Sequence, residues 1–272
     1  MREKLSSPVA LLGVPWDRHS SHARGPAEGP AAIRGALAEG SGNWFNTRGE
    51  DLRDVGVMVD VGDVVFGDIA QEADAITTAV AAQLELGRKV LTLGGDHAVT
   101  YPVFRAFAAH RSDIAIVHID AHPDLYDDFE GDPLSHASPF ARIMERGLSS
   151  NLVQVGIRAT YHHQEAQAQR FGVRSFGPDD LAAATQALPG GPVYLTIDLD
   201  GLDPSVAPGV NHYEPGGLTV RELLNLIKAI PGEIVGADIV ELCPQRDHHD
   251  MTAKVAAKLV KEIVGQMGLH GG

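Results

Sequence analysis

The chain has 272 residues, of which 44% are hydrophobic, and its formal net charge at neutral pH is −14. This size and apolar content predict one large α/β domain, or two small ones, with a sizeable core. The negative charge argues against a nucleic-acid partner, because binding the phosphate backbone requires a basic surface. No stretch approaches the roughly 20 apolar residues that a membrane span requires.

The cellular location is predicted from two features of the sequence. The amino terminus has no signal-peptide pattern. Cys243 is the single cysteine, so an intrachain disulfide is excluded and a reducing cytoplasm is favoured. The acidic balance also favours a small cationic partner, which an acidic surface attracts.

Apolar strand patterns alternate with helical patterns along the whole chain. The predicted strands cover 9–14, one or two strands within 54–65, then 90–93, 114–119, 152–157, 193–197 and 233–241. The predicted helices cover 31–38, 69–86, 101–110 and about 252–266. Two more begin at Pro178 and at Thr219. With no break in composition and no internal repeat, this alternation predicts a single domain over 1–272. Its parallel sheet would carry helices on both faces.

Three of the predicted strands run directly into acidic and imidazole side chains. Asp120, His122 and Asp124 alternate with other residues, so an extended backbone points all three the same way. Open α/β sheets bind ligands just outside such carboxyl ends. The candidate metal ligands are His97, Asp120, His122, Asp124, Asp198 and Asp200. Six oxygen and nitrogen ligands are more than one closed zinc site takes, and no thiolate is among them. This set suits a pair of Mn²⁺ or Mg²⁺ ions.

These motifs, in this order, resemble those of the ureohydrolases, meaning arginases, agmatinases and relatives. The resemblance covers nearly the whole chain and looks closest to plant-type arginases and agmatinases. It implies an eight-stranded parallel sheet of the arginase type, two Mn²⁺ ions per subunit, and a homo-oligomer, either trimer or hexamer. The matching motifs are Gly94-Gly-Asp-His97, Asp120-Ala-His-Pro-Asp124, Ser135-His-Ala-Ser-Pro-Phe140, Asp198-Leu-Asp-Gly-Leu-Asp-Pro204, Glu214-Pro-Gly-Gly217 and Asp238-Ile-Val-Glu241.

The resemblance also implies catalytic roles for three residues. Glu241 would hold the guanidinium of the substrate, which a carboxylate binds through paired charge-assisted hydrogen bonds. His136 would exchange protons with solvent, since histidine titrates near neutrality. Asp124 would help to transfer a proton to the leaving amine. The expected reaction is hydrolysis of a guanidino compound to urea and an amine, with a metal-activated water.

The substrate is predicted from the loop that follows the second motif. Tyr126, Asp132 and Ser135 are its candidate binding residues, and Asp127, Asp128, Glu130 and Asp132 make it acidic. An acidic rim suits the free ammonium of agmatine better than the carboxylate of L-arginine, so agmatine is slightly favoured. L-Arginine, as in plant-type arginases, or another guanidino acid are the alternatives. His19, His22 and Arg24 of the first loop are either substrate contacts or ordinary loop residues.

Two other classes of protein remain open at this point. A metal-dependent deacetylase shares the broad fold but uses a single Zn²⁺ and fewer carboxylates. A non-catalytic metal-binding protein is the second alternative. Among the remaining histidines, His118 lies inside an apolar strand and is interpreted as a hydrogen-bonded core residue. The pairs at 162–163 and 248–249 are interpreted as solvated surface.

Overall fold

The computed structural model describes residues 8–39, 42–53 and 57–269. Within these ranges eight strands form one sheet. They are β1 (Val9–Gly13), β2 (Met58–Asp63), β3 (Val90–Leu93), β4 (Ala115–Ile119), β5 (Leu152–Val155), β6 (Arg174–Phe176), β7 (Val193–Asp198) and β8 (Ile234–Val240). The strand order is β2-β1-β3-β8-β7-β4-β5-β6, and every neighbouring pair is parallel. The predicted eight-stranded parallel sheet is thus confirmed.

Eight α-helices cover the two faces of this sheet in the described residues. They are α1 (Gly29–Ala38), α2 (Glu72–Glu85), α3 (Thr100–His110), α4 (Pro139–Glu145), α5 (His162–Phe171), α6 (Leu181–Ala187), α7 (Val220–Ala229) and α8 (Met251–Leu269). Helices α1, α6, α7 and α8 pack with Val117 and Ile119 of β4 on one face. Helices α2, α3, α4 and α5 pack with Ile116 on the other. Alternate residues of one strand therefore serve two cores, which explains the continuous apolar runs.

Local sequence signals account for several of the element boundaries. Thr219 and Glu222 form a reciprocal capping box at the start of α7, as their spacing predicts. Gly87 follows α2 with φ +71°, the left-handed conformation that glycine adopts at little cost. Segment 54–65 contains one strand, β2, while positions 54–56 lie outside the described residues. None of the helices in the described ranges is long and apolar enough to cross a membrane.

Three elements have no strong sequence signal. Helix α4 spans only seven residues, and α5 is composed mostly of polar and charged residues. Strand β6 has three residues, two of them exposed, at the edge of the sheet. Periodicity arguments need either length or a contrast between apolar and polar positions. These three elements offer neither.

Candidate metal centre and cavity

The functional side chains gather where four adjacent central strands end. Strands β3, β8, β7 and β4 are neighbours in that order. His97 follows β3, the Asp120–Asp124 segment follows β4, and Glu241 follows β8. Asp198 ends β7 and Asp200 lies in the short 3₁₀ segment after it. Because the strands are parallel, all of these residues meet at one edge of the sheet, as the sequence predicts.

The first group of side chains surrounds the Nδ1 atom of His97. This atom lies 3.0 Å from Asp120 Oδ2, 3.0 Å from Asp124 Oδ2 and 3.3 Å from Asp198 Oδ2. All four residues are buried. One imidazole nitrogen and three carboxylate oxygens thus face a common point inside the protein.

The second group surrounds the Nδ1 atom of His122. It lies 3.1 Å from Asp200 Oδ2 and 3.4 Å from Asp120 Oδ1. Asp120 therefore presents one oxygen to each imidazole and joins the two groups. An aspartate in this position is suited to bridge two cations.

Backbone hydrogen bonds aim these carboxylates. Asp120 Oδ1 accepts from His122 N at 2.6 Å, and Asp198 Oδ1 accepts from Asp200 N at 2.7 Å. Asp200 Oδ1 accepts from Ala121 N at 3.2 Å, which ties the ends of β4 and β7 together. Gly201 allows this close approach, because a Cβ there would lie 2.9 Å from Asp120 N. Asp198 and Asp200 are thus each held by one oxygen while the other faces an imidazole, and Asp120 faces an imidazole with both oxygens.

His118 is hydrogen-bonded to the first group, and its hydrogen bonds exclude it as a metal ligand. Its Nδ1 accepts from Gln154 Nε2 at 3.0 Å, and the same amide group donates to the Pro123 carbonyl at 2.7 Å. With Nδ1 accepting, Nε2 carries the proton and donates to Asp120 Oδ2 at 2.7 Å. Although His118 lies within metal-binding distance of His97, Asp120 and Asp124, no lone pair of its ring is left for a metal. The structure therefore agrees with its interpretation as a hydrogen-bonded core residue.

The electrostatics of the cluster require a compensating positive charge. Burial, and then the neighbouring carboxylates, raise the pKa of Asp198 well above its ordinary value and that of Asp200 to about 6. Burial opposes the charge of His97 and His122, yet the close aspartate carboxylates hold the pKa of His97 well above its usual range and that of His122 at about 12. Without a metal, burial thus favours a proton on Asp198 and Asp200 and the carboxylates favour cationic imidazoles, while the pKa of Asp120 is held well below its usual range beside the histidines.

The same region satisfies the chemical requirements of a divalent metal. His97 Nδ1 is buried and has no hydrogen-bond partner among the described residues, although three carboxylate oxygens face it. The other ring nitrogen, Nε2, bonds Thr196 Oγ1 at 3.0 Å, which fixes the ring. A divalent cation supplies the positive charge that several buried carboxylates need. The His/Asp cluster is therefore able to bind metal.

Glu241 and His136 form a buried pair beside the cluster. Glu241 Oε1 accepts from His97 N at 2.9 Å and from His136 Nδ1 at 2.9 Å. Burial opposes the charge of His136, but Glu241 raises the pKa of this histidine to about 9. Glu241 Oε2 is buried without a hydrogen-bond partner in the described residues. The φ of Glu241 is +65°, a conformation that costs energy for a non-glycine residue and is typical of functional positions.

A cavity of about 240 Å³ opens onto this centre. His122, Asp124, Asp198, Asp200, His136 and Glu241 line its floor, and neither Lys nor Arg is among the described residues of its wall. Its remaining wall consists of Ser21, Tyr126, Phe129, Ala137, Ala159, Tyr161, Gln164, His212 and Glu214. The cavity is thus acidic at the floor, with aromatic and uncharged polar side chains farther out and one additional carboxylate.

Two of the predicted substrate-binding residues have partners outside the described cavity wall, and their contact with substrate stays a prediction. Asp132 Oδ2 contacts His19 Nδ1 at 2.6 Å, and Ser135 is buried where its hydroxyl accepts from Ala137 N at 3.2 Å. Neither residue is part of the described cavity wall, whereas Tyr126 is. Turn hydrogen bonds within the loop engage both side chains, because Leu134 N donates to Asp132 Oδ1 and Ala137 N to Ser135 Oγ.

Two other loop acids, Asp127 and Asp128, also have local partners. Asp127 accepts from Gln167 and lies 3.5 Å from His163 Nε2. Asp128 accepts from Gly131 N at 3.1 Å. Charge counting along the sequence could not reveal these contacts, because a loop has no fixed periodicity that orients its side chains.

The first loop approaches the cavity through a different residue from those singled out by sequence. His19 binds Asp132, and Arg24 contacts Asp17 at 3.3 Å. His22 lies with its ring centroid 5.8 Å from that of His212. Ser21 is the residue of this loop in the cavity wall, and its hydroxyl lies 2.8 Å from His136 Nε2. Neither Ser21 nor His212 belongs to a sequence pattern that would identify it as a cavity residue.

Comparison with known proteins agrees with this architecture. A family model described as "Arginase family" matches residues 7–265. The chain is 44% identical to "Arginase 1, mitochondrial" of Arabidopsis thaliana over 95% of its length and 81% of that protein. It is 38% identical to "Agmatinase" of Bacillus anthracis, covering 95% of this chain and 91% of that one. The solved arginase of Medicago truncatula superimposes with a TM-score of 0.92 at 43% identity, covering 97% and 88% of the two chains.

Proposed function

The chain belongs to the arginase family, whose members hydrolyse guanidino C–N bonds, and we propose that it converts L-arginine to L-ornithine and urea. The observation that carries this choice is the 44% identity to a plant arginase over nearly the whole chain, against 38% to an agmatinase. The agmatine preference predicted from the acidic loop has lost its support. Asp127, Asp128 and Asp132 have partners of their own, and the plant arginase is more similar to this chain than the agmatinase is.

The proposed cofactor is a pair of Mn²⁺ ions. His97, Asp120, Asp124 and Asp198 would hold one ion, and His122, Asp120 and Asp200 the other, with Asp198 also placed beside Asp200. Bound Mn²⁺ would supply Lewis-acid activation of a water molecule. Two groups sharing Asp120 favour two metals, which distinguishes the proposal from a single-zinc deacetylase. A donor set of carboxylates and imidazoles without thiolate is typical of manganese.

Glu241 is proposed to bind the guanidinium. Its Oε1 is already engaged by His97 and His136, so Oε2 is the acceptor that remains for a substrate N–H group. A charge-assisted bond from a guanidinium would satisfy this buried atom. It would also place the guanidino carbon over the cavity floor, where Asp124 and the metal ligands lie.

The reaction we propose requires two proton transfers by residues of this chain. Water gives one proton to Asp124 as it adds to the guanidino carbon, and Asp124 passes this proton to the amine nitrogen as the C–N bond breaks. Loss of the remaining hydroxyl proton to solvent forms the carbonyl of urea. His136, protonated near neutral pH, gives a proton to the released amine, which leaves as an ammonium, and the histidine regains a proton from solvent. Urea and L-ornithine then leave through the cavity.

A second candidate substrate, agmatine, is favoured by one observation about the cavity wall. Within the described residues, no Lys or Arg lines the cavity to meet an α-carboxylate, while Glu214 offers a carboxylate to an ammonium. Both L-arginine and agmatine carry such an ammonium. The missing carboxylate partner thus favours agmatine.

A panel of guanidines separates the candidates. The protein is loaded with Mn²⁺, its metal content is measured by elemental analysis, and urea release is followed with L-arginine, agmatine and a guanidino acid. We expect about two Mn²⁺ per chain and the highest kcat/KM for L-arginine. A tenfold preference for agmatine would replace the proposed substrate, and one metal per chain with no urea from any guanidine would refute the enzyme class. The cytoplasmic location and the homo-oligomer stay predictions, and the Arabidopsis relative is named mitochondrial.

A further inference from the structure

His136 contacts the loop that contains Ser21, and both residues line the same cavity. Only 8% of the His136 surface is exposed, so its ring has little direct access to bulk water. Its Nδ1 is occupied by Glu241 Oε1 at 2.9 Å, and its Nε2 lies 2.8 Å from Ser21 Oγ. Ser21 itself is exposed at the cavity wall. The hydroxyl therefore connects a buried imidazole with solvent.

We propose that Ser21 is the proton relay between His136 and solvent, a role that rests on the proposed hydrolytic function. The carboxylate of Glu241 keeps a proton on Nδ1, so His136 gains and loses its second proton at Nε2. A hydroxyl group fits both states, because it donates to a neutral Nε2 and accepts from a protonated Nε2–H. When Nε2 releases its proton to Oγ, the original hydroxyl proton passes to a water molecule, and the reverse sequence recharges the ring.

The loop around Ser21 is anchored so that this contact persists. His19 N and Ser20 Oγ both donate to Asp96 Oδ2, at 3.0 Å and 3.1 Å. His136 N donates in turn to the His19 carbonyl at 3.1 Å, which joins the loop directly to the histidine it serves. A hydroxyl held by a fixed backbone loses little freedom when it binds the ring.

The other imidazole beside His136 is a poor candidate for this role. The ring of His212 lies with its centroid 5.2 Å from that of His136, and the two form no hydrogen bond among the described contacts. Burial, followed by the charge of His136, lowers the pKa of His212 to about 4. His212 therefore stays neutral at physiological pH and is a weak acceptor for a proton from His136.

The test compares Ser21→Ala, Ser21→Thr and Ser20→Ala in the Mn²⁺-loaded enzyme. Urea release is measured at several concentrations of imidazole buffer at fixed pH and ionic strength. For Ser21→Ala we expect kcat to fall about tenfold in dilute buffer, with KM within about twofold of the parent, and kcat to recover as imidazole rises. Ser21→Thr keeps the hydroxyl and should retain most of the parent kcat without a buffer response. Ser20→Ala removes one of the two bonds to Asp96 Oδ2 but keeps the bond from His19 N and the hydroxyl of Ser21, so it should show a kcat near that of the parent and no buffer response.

Three results would overturn the relay. Parental kcat in Ser21→Ala would mean that protons leave His136 by another route. A higher KM with unchanged kcat would make Ser21 a substrate contact. If imidazole does not restore the lower kcat of Ser21→Ala, or if Ser20→Ala lowers kcat in the same way, the role of Ser21 is structural only. Failure of the proposed function is separately visible, because the parent would then release no urea from any guanidine of the panel.

Discussion

Two regions of the molecule contain clusters of acidic residues, and they behave in opposite ways. At the ends of β4 and β7, Asp120 and Asp200 are buried and converge on imidazoles within 3.4 Å. In the loop over 126–135, Asp128 and Asp132 bind local groups and leave the cavity wall to other side chains. Acidic residues converge where parallel strands dictate their direction. Where turns dictate it, they disperse.

The largest expected difference between the two regions comes from removing one charge in each. Asp120→Asn removes the carboxylate charge that the groups around His97 and His122 share. We therefore expect kcat/KM for urea release to fall by about 10³-fold or more and bound metal to be lost. Asp128→Asn in the loop should change kcat/KM by less than about threefold, as is usual for a surface substitution. Elemental analysis and kinetics on both variants provide the measurement. Full metal content and activity in Asp120→Asn would refute its bridging role.

The same contrast explains why the sequence predicts the strand ends better than the loop. Asp120, His122 and Asp124 directly follow a buried strand, and the parallel sheet brings His97 and Asp198 to them. The segment is not the predicted extended backbone, however, because it bends at 121–122 and Asp124 has a φ of +51°. The loop has no such rule, so the sequence could not assign partners to its acids, and Asp132 contacts His19 and is absent from the described cavity wall. The contacts of Ser21 with His136 and of His118 with Gln154 join segments distant in sequence. No local pattern encodes such contacts.

A second prediction concerns His136, at the boundary between the two regions. His136→Ala should lower kcat by about 10²-fold while metal content stays at the parental level, because the residue lies outside both imidazole–carboxylate groups. His162→Ala is the matched control, since that histidine is fully exposed beyond the loop. It should leave kcat within about twofold. Equal turnover in His136→Ala and the parent would remove this residue from the mechanism, and loss of metal would make its role structural.

A third prediction uses the charge imbalance of the metal-free cluster. The folded pKa of Asp200, about 6, is above its ordinary 3.8, so the folded state retains a proton that the unfolded state releases. His122, with a pKa of about 12, contributes stability below pH 6.5 that is lost as the pH rises towards its folded value. Both effects lower the stability of the metal-free protein with rising pH.

Thermal unfolding of metal-free protein between pH 5.5 and 8.5 tests this sign. We expect Tm to fall by on the order of 5 °C over the range, and Mn²⁺ to raise Tm more at the higher pH, where it competes with fewer protons. In the metal-free Asp200→Asn variant, Tm should fall less steeply with rising pH, because one of the titrating groups is gone. A Tm that rises with pH without metal would contradict the charge balance described for the cluster.

The smallest effect is expected from the loop exchange that sequence reasoning would regard as decisive. If an acidic rim selected the substrate, Asp132→Asn with Pro133→Lys would shift the preference strongly towards L-arginine. Asp132, however, contacts His19 and accepts from Leu134 N at 2.9 Å, and Pro133 is exposed outside the described cavity wall. Asparagine retains an oxygen for the same contacts. The added lysine acts from solvent, where an ion pair contributes about 1 kcal/mol or less.

The ratio of kcat/KM for L-arginine to that for agmatine should therefore change by less than about fivefold, the factor that 1 kcal/mol allows at room temperature. Both substrates are measured with parent and double variant at fixed Mn²⁺, in low salt and again in high salt. Glu214→Gln is the matched comparison inside the cavity wall, and because each substrate offers it an ammonium, KM should rise for both. A tenfold or larger change of the ratio in the loop variant, lost in high salt, would mean that charge in this loop reaches the substrate. The loop would then join the strand ends in setting specificity.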